Sequence, residues 1–213
     1  MGILASKESK DLIEACRANN IEAAIAALDS NKANINIRSQ GETPLLISCK
    51  HFKGCKLGEE LVRRGANVNA LYTDKKASVS YSTLSYCIKP DKLPLAKALV
   101  EKGCSCVGWD TDLRCTLFHK AIQEGFEELA LLMIEKDPKC RGEAGYTNKY
   151  DGKIPLLAAV DKNYIRLVKI LLTIEGTPLD YKDNSGKTAL SIATENGYTE
   201  IVRMLRNAGA TPI

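Results

Sequence analysis

The chain has 213 residues, 30 Lys and Arg against 26 Asp and Glu, a net charge of +4, and 45% hydrophobic residues. That charge is too small and too evenly spread to argue for nucleic acid. No apolar run nears the roughly 18 residues of a membrane span, and no secretory signal is read at the start. Eight cysteines would suggest a disulfide framework in a small secreted protein, but several stand where a small buried residue is expected. A reducing, intracellular and cytoplasmic setting is therefore expected.

Residues 1–10 read as an arm. Met1-Gly2-Ile3-Leu4-Ala5-Ser6 fits the N-myristoylation pattern, with Gly2 as acceptor and Ser6 at the hydroxyl position. A single acyl chain would hold a membrane only marginally. Residues 11–38 read as a terminal helical pair. Leu12, Ile13, Ile21, Ile25 and Leu28 supply its apolar stripe, and Arg17, Asn19, Asn20 and Asp29 face water.

In the next unit, 39–72, Pro44 suits a first helical position. Residues 50–58 read as a looser turn containing an exposed His51. Residues 71–80 then lengthen a loop before the unit 78–109, where Pro90 and Pro94 fall at helix ends. The unit 112–140 is followed by a second lengthened loop, 137–150, and by the unit 150–182. Both insertions are read as extensions of hairpin fingers.

The last unit, 183–213, is the plainest. Thr188 opens a helix with Ala189, Leu190, Ile192 and Ala193 inside, and Gly197 stops it. Thr199 and Glu200 are expected to cap a second helix, with Ile201, Val202, Met204 and Leu205 as its buried stripe and Gly209 at its end. The position of Thr188 recurs at Ile154, Thr116, Ser82 and Thr43, so successive starts are 39, 34, 38 and 34 residues apart going from 43 to 82, 116, 154 and 188. Such short pairs cannot bury their apolar faces alone and need neighbours of the same kind.

The segments Thr43-Pro44-Leu45-Leu46, Thr116-Leu117-Phe118-His119, Gly65-Ala66-Asn67-Val68-Asn69 and Gly197-Tyr198-Thr199-Glu200 carry a resemblance to the ankyrin repeat family. It covers residues 11–210, although only Thr43 keeps the full Thr–Pro pair and only His119 the family's histidine. The resemblance implies an all-α ankyrin-repeat solenoid: six helix-turn-helix repeats in one domain, 11–213, stacked at right angles into a curved wall. It further implies a monomeric, non-enzymatic module without cofactor, whose hairpin tips and concave inner-helix face hold a protein or peptide.

On this sequence that face maps to Arg38, Gln40 and Glu42, then Tyr81 and Lys89, then Trp109, Leu113 and Gln123. It continues through Tyr150, Lys153, Lys162, Asn184, Lys187 and Glu195. Rim aromatics gather at the insertions, Tyr72 and Tyr81 beside the contact residue Leu71 at one and Tyr146 and Tyr150 at the other, and such rings anchor interfaces at little entropic cost. Lys75, Lys76, Arg114, Lys149 and Lys153 can draw an acidic partner, tempered by Asp74, Asp110, Asp112 and Asp151.

Cys104, Cys106, Cys115 and His119 spell C-x-C-x8-C-x3-H, the ligand types of a zinc site. Zinc is set aside because structural sites favour wider Cys pairs, and because the resemblance implies that His119 bonds back to the Thr116 position. No phosphate-binding glycine loop, nucleophile elbow or H-E-x-x-H is present, so no catalytic residue is assigned. The rival readings are a myristoylated, membrane-associated adaptor and, below it, a nucleic-acid binder.

Overall fold

The computed structural model describes residues 6–52, 54–74, 79–111 and 114–211. Gly2, Lys75, Lys76, Asp112 and Leu113 lie outside the described residues. The chain divides into two compact units, Met1–Ser105 and Cys106–Ile213.

The first unit contains α1 (Lys7–Arg17), α2 (Ile21–Asp29), α3 (Pro44–His51), α4 (Lys56–Arg63), a β-hairpin of β1 (Leu71–Asp74) and β2 (Val79–Ser82), α5 (Thr83–Cys87), a 3-10 turn Pro90–Lys92 and α6 (Leu93–Glu101). Helices α1, α3 and α5 pack side by side, and α4 packs on α6. The second unit contains β3 (Trp109–Asp110), β4 (Cys115–Thr116), α7 (Leu117–Gln123), α8 (Glu127–Lys136), a 3-10 turn Pro138–Glu143, α9 (Pro155–Asp161), α10 (Ile165–Leu171), α11 (Ala189–Glu195) and α12 (Thr199–Asn207). Here α7, α9 and α11 form one row and α8, α10 and α12 the other. Among the described residues no helix is long and apolar enough to cross a membrane.

The recurring hydroxyl position has a physical reason. Thr43, Ser82, Thr116 and Thr188 each accept a hydrogen bond from the amide three residues on, at 3.1 to 3.3 Å, and so satisfy an orphan donor of the first helix of each pair. Two residues after that cap, Leu45, Leu84, Phe118, Leu156 and Leu190 are all buried. Ile154 has no oxygen to offer, and Pro155 removes one of the donors instead. The inter-helix turns need positive φ, met by Gly125 and Gly197 at +92° and +71° and by Asn19 and Asn163 at +50° and +57°.

Several expectations are corrected. α1 begins at Lys7, inside the stretch read as an arm, and Ser6 is its N-cap, accepting from the Ser9 amide at 3.1 Å. Ser6 is thus another copy of the repeat's capping hydroxyl. In α2 the buried residues are Ala24 and Ala27, while Ile21, Ile25 and Leu28 are half-buried. Tyr198, not Thr199, is the N-cap of α12 and makes no side-chain cap; Val202 and Met204 are half-buried. His51 ends α3 and meets the Glu42 carboxylate at 3.3 Å, and α4 already begins at Lys56.

The two insertions differ. Residues 71–74 and 79–82 pair as antiparallel strands in register Leu71↔Ser82, Tyr72↔Tyr81, as a finger extension requires. Residues 137–150 do not: Asp137 caps a 3-10 turn whose Cys140, Glu143 and following Ala144 are buried against α8.

Candidate functional site

The second unit holds a concavity beside β3. In β3 side chains alternate, so Trp109 is 38% exposed while Asp110 turns inward. Asp110 meets the Lys120 ammonium of α7 at 2.7 Å, both side chains being buried. This corrects the reading of Asp110 as a rim charge: it braces the hairpin base. Opposite Trp109, the 3-10 turn is anchored through Cys140 and Ala144 and continues to Tyr146, whose amide donates to the Glu143 carbonyl at 3.0 Å. Val107, Trp109 and Tyr146, together with Thr116, Lys139 and Glu143, line a pocket of about 430 Å³, within the size range of ligand-binding clefts.

Glu143 forms part of that lining. Its Oε1 accepts from the Gly108 amide at 3.3 Å, whereas Oε2 is buried without a hydrogen-bond partner. Burial pushes this carboxyl up to about 7, against the lowering pull of the Gly108 amide and the Thr116 hydroxyl. Outside the pocket, Lys149 lies 5.9 Å from the Trp109 ring and Arg114 5.9 Å from the Tyr150 ring. Tyr146 and Tyr150 are 56% and 62% exposed. Trp109, Arg114, Tyr146 and Tyr150 therefore belong to one basic, aromatic region of the second unit.

The inner-helix residues tell a different story. Glu42 is buried and binds Lys50 at 2.9 Å as well as His51, which corrects its place as an open contact residue. Lys153 pairs with Asp161 at 2.8 Å, and Lys187 with Glu195. Each pair is eight residues apart and joins the residue before the helix cap to the far end of the same helix. At the same register Cys115 Sγ lies 3.9 Å from Gln123 Oε1. Much of the expected inner-face charge is thus engaged within its own repeat, with signs reversed between Glu42–Lys50 and the last two pairs.

Gln123, Asp151, Lys153, Asp161 and Lys162 also line a smaller groove of about 220 Å³. Asn184 Nδ2 donates to the Tyr150 carbonyl at 3.1 Å, tying two loops together.

In the first unit the aromatics are more occupied. Lys50 Nζ stands 3.9 Å over the Tyr72 ring, Tyr81 packs on Tyr86 at 5.6 Å, and Arg38 donates to the carbonyls of Gly41 and Leu71 at 2.8 and 3.0 Å. Leu71 and Lys89 remain exposed.

Of the cysteine–histidine set considered for zinc, Cys104 lies in the first unit and Cys106, Cys115 and His119 in the second. Cys104 Sγ is directed at the Val68 carbonyl, 3.3 Å away, and Cys115 at Gln123. His119 is fully buried, and its backbone N–H, not its ring, donates to Thr116 Oγ1 at 3.1 Å. Both ring nitrogens lack a hydrogen-bond partner, the Tyr146 main chain facing the ring without completing one. Burial lowers its pKa to about 4, so the imidazole is neutral. The metal-ligating groups that do converge among the described residues are Cys106, Asp137 and Cys140.

Glu143, Lys139 and Val107 were missed in the sequence because no periodicity marks them. The one available signal was the Pro138 that starts the 3-10 turn.

Residues 139–212 match the family model for ankyrin repeats (3 copies). Over 95 residues the chain is 30% identical to the mouse (Mus musculus) B-cell lymphoma 3 protein homolog, covering 45% of this chain and 20% of that protein. The chain spans a fifth or less of the curated relatives it matches. Among solved structures it resembles an ankyrin repeat domain from Acinetobacter baumannii, with TM-score 0.66, 24% identity and coverage of 94% of this chain and 98% of the other. It also resembles a chain of a complex between a predatory endopeptidase from Bdellovibrio bacteriovorus and its immunity protein, with TM-score 0.58, 20% identity and coverage of 95% and 98%.

Proposed function

We propose, from the premise of an ankyrin-repeat fold with repeats of that family over residues 139–212, that this chain is a non-enzymatic protein-interaction module. Its docking point is the pocket of the second unit. The partner is a protein or peptide that inserts an apolar side chain between Trp109 and Tyr146 and sets acidic residues against Arg114, Lys139 and Lys149.

The observation that carries this is the set of exposed aromatics held on buried anchors beside a pocket. Rings on a preorganised support lose little entropy on binding, and water is displaced from apolar walls. Glu143 suits such an occupant, since a carboxyl titrating near 7 is partly neutral and tolerates an apolar neighbour. That one structural relative comes from a complex with an immunity protein agrees with a binding role.

A displayed peptide library panned on the purified chain is expected to enrich sequences with an apolar anchor and acidic flanks. Trp109→Ala with Tyr146→Ala should weaken the enriched peptides at least tenfold and leave the melting temperature nearly unchanged. Equal binding by the double variant would remove the pocket from the reading.

A further inference from the structure

We propose that Cys106, Cys140 and Asp137 form a binding site for a thiophilic divalent cation of the zinc class. The two sulfurs and a carboxylate oxygen lie within 4.8 Å of one another. A tetrahedral ion with metal–sulfur bonds of about 2.3 Å and metal–oxygen bonds of about 2.1 Å needs its ligands roughly 3.5 to 3.8 Å apart. Closing on an ion therefore asks each side chain to move by no more than about 1 Å.

The arrangement follows from local structure. Asp137 opens the 3-10 turn, its Oδ1 accepting from the Lys139 amide at 3.2 Å while the Cys140 amide donates to its carbonyl at 3.0 Å. Asp137 caps the turn and Cys140 is its third residue, and their side chains converge as a D-x2-C counterpart of a paired-cysteine motif. Asp137 Oδ2 then accepts from the Cys106 amide at 2.9 Å and draws in the segment that leads to β3. These bonds orient the ligands, as outer-shell contacts do at metal sites, and each carboxylate oxygen keeps a second lone pair.

Charge favours a cation. Both sulfurs are fully buried beside the Asp137 carboxylate, in a field set by that charge. A divalent ion reverses that field. Two S–H bonds break, two sulfur–metal bonds form and two protons leave to solvent, with no change of oxidation state. The Asp137 carboxylate is the third ligand, and water takes the fourth position.

The first unit supplies an internal contrast. Cys49 and Cys87 are also buried side by side, but their charged neighbour is Lys92, whose ammonium donates to the Cys49 carbonyl. A fixed cation there opposes a second one.

The test is titration of the chelator-treated, reduced full chain with Co²⁺. A thiolate-to-cobalt charge-transfer band saturating at one equivalent and displaced by Zn²⁺ is expected. Cys106→Ser and Cys140→Ser should abolish the band, and Cys49→Ser with Cys87→Ser should keep it. Asp137→Asn retains a cap for the turn and should weaken the ion about 10- to 100-fold. Should a serine variant fail to fold by circular dichroism, Cys106→Ala and Cys140→Ala take its place. No band in the reduced wild type, or an undiminished band in folded Cys106 and Cys140 variants, would overturn the site.

Discussion

Two insertions of similar length interrupt the repeats, and the chain folds them in opposite ways. Residues 71–74 and 79–82 are strands that pair with each other. Residues 137–150 wind into a 3-10 turn that buries Cys140, Glu143 and Ala144 in the second unit. Alternating Tyr, Thr, Val and Ser in LYTD and VSYS satisfies a ladder with little help from the core. In DPKCRGE a proline cannot donate to a ladder, while an aspartate before it caps a turn. One insertion therefore supports itself and the other is part of its unit's interior. The same contrast separates two carboxylates: burial alone would raise Glu42, but Lys50 and His51 outweigh it and hold it below the ordinary range, whereas Glu143 lacks a cation and is raised.

The sharpest way to break the comparison is excision. Replacing 138–145 with a short Gly–Ser linker should cost about 4 kcal/mol, because buried apolar surface is lost and a cavity remains. That corresponds to a melting temperature lower by about 10 °C. Replacing 75–78 with Asn-Gly should cost less than about 0.5 kcal/mol, since loop length enters stability only logarithmically. Equal losses at the two sites would mean the insertions are not different in kind.

A smaller effect is expected from the ion pairs beneath them. Lys120→Met leaves Asp110 buried without its ammonium and should cost about 3 kcal/mol in urea unfolding. Lys50→Met should cost less than about 1 kcal/mol, because its pair with Glu42 is more exposed, at 27% for the lysine side chain, and His51 still covers the carboxylate.

The smallest expected effect is a pH dependence. Glu143 binds its proton more tightly folded than unfolded, so its contribution is full below about 4.5 and is lost as pH rises through about 7. Glu143→Gln should abolish that decline and leave the variant more stable at pH 8 by about 2 kcal/mol. His119, lowered to about 4, acts in the other direction: its contribution is present above about 6.5 and is lost as pH falls through 4. The acid limb should therefore be unchanged in Glu143→Gln. A variant whose stability still falls between pH 5 and 7 would show that another group is responsible.

The repeat register could be read from residue order because its signals are local. A hydroxyl followed three residues later by an amide, a glycine or asparagine where φ must be positive, and an apolar residue two places after the cap each act within one turn. Thr43, Thr116 and Thr188 were legible for that reason, and Ser6, which also falls in the acylation pattern, obeys the same rule. The site was only half legible. Trp109, Tyr146 and Tyr150 could be picked out as aromatics near insertions, but which carboxylates they sit beside could not.

What residue order determined by itself is the helical pair and its repetition, since capping, turn formation and amphipathic spacing depend on neighbours along the chain. Tertiary structure alone decided that Asp110 turns inward to Lys120, that Glu42 is covered by Lys50 and His51, and that Cys106 meets Asp137 and Cys140 across some thirty residues. Such pairings depend on which side chains are removed from water together, and desolvation is a property of the packed unit rather than of any short stretch.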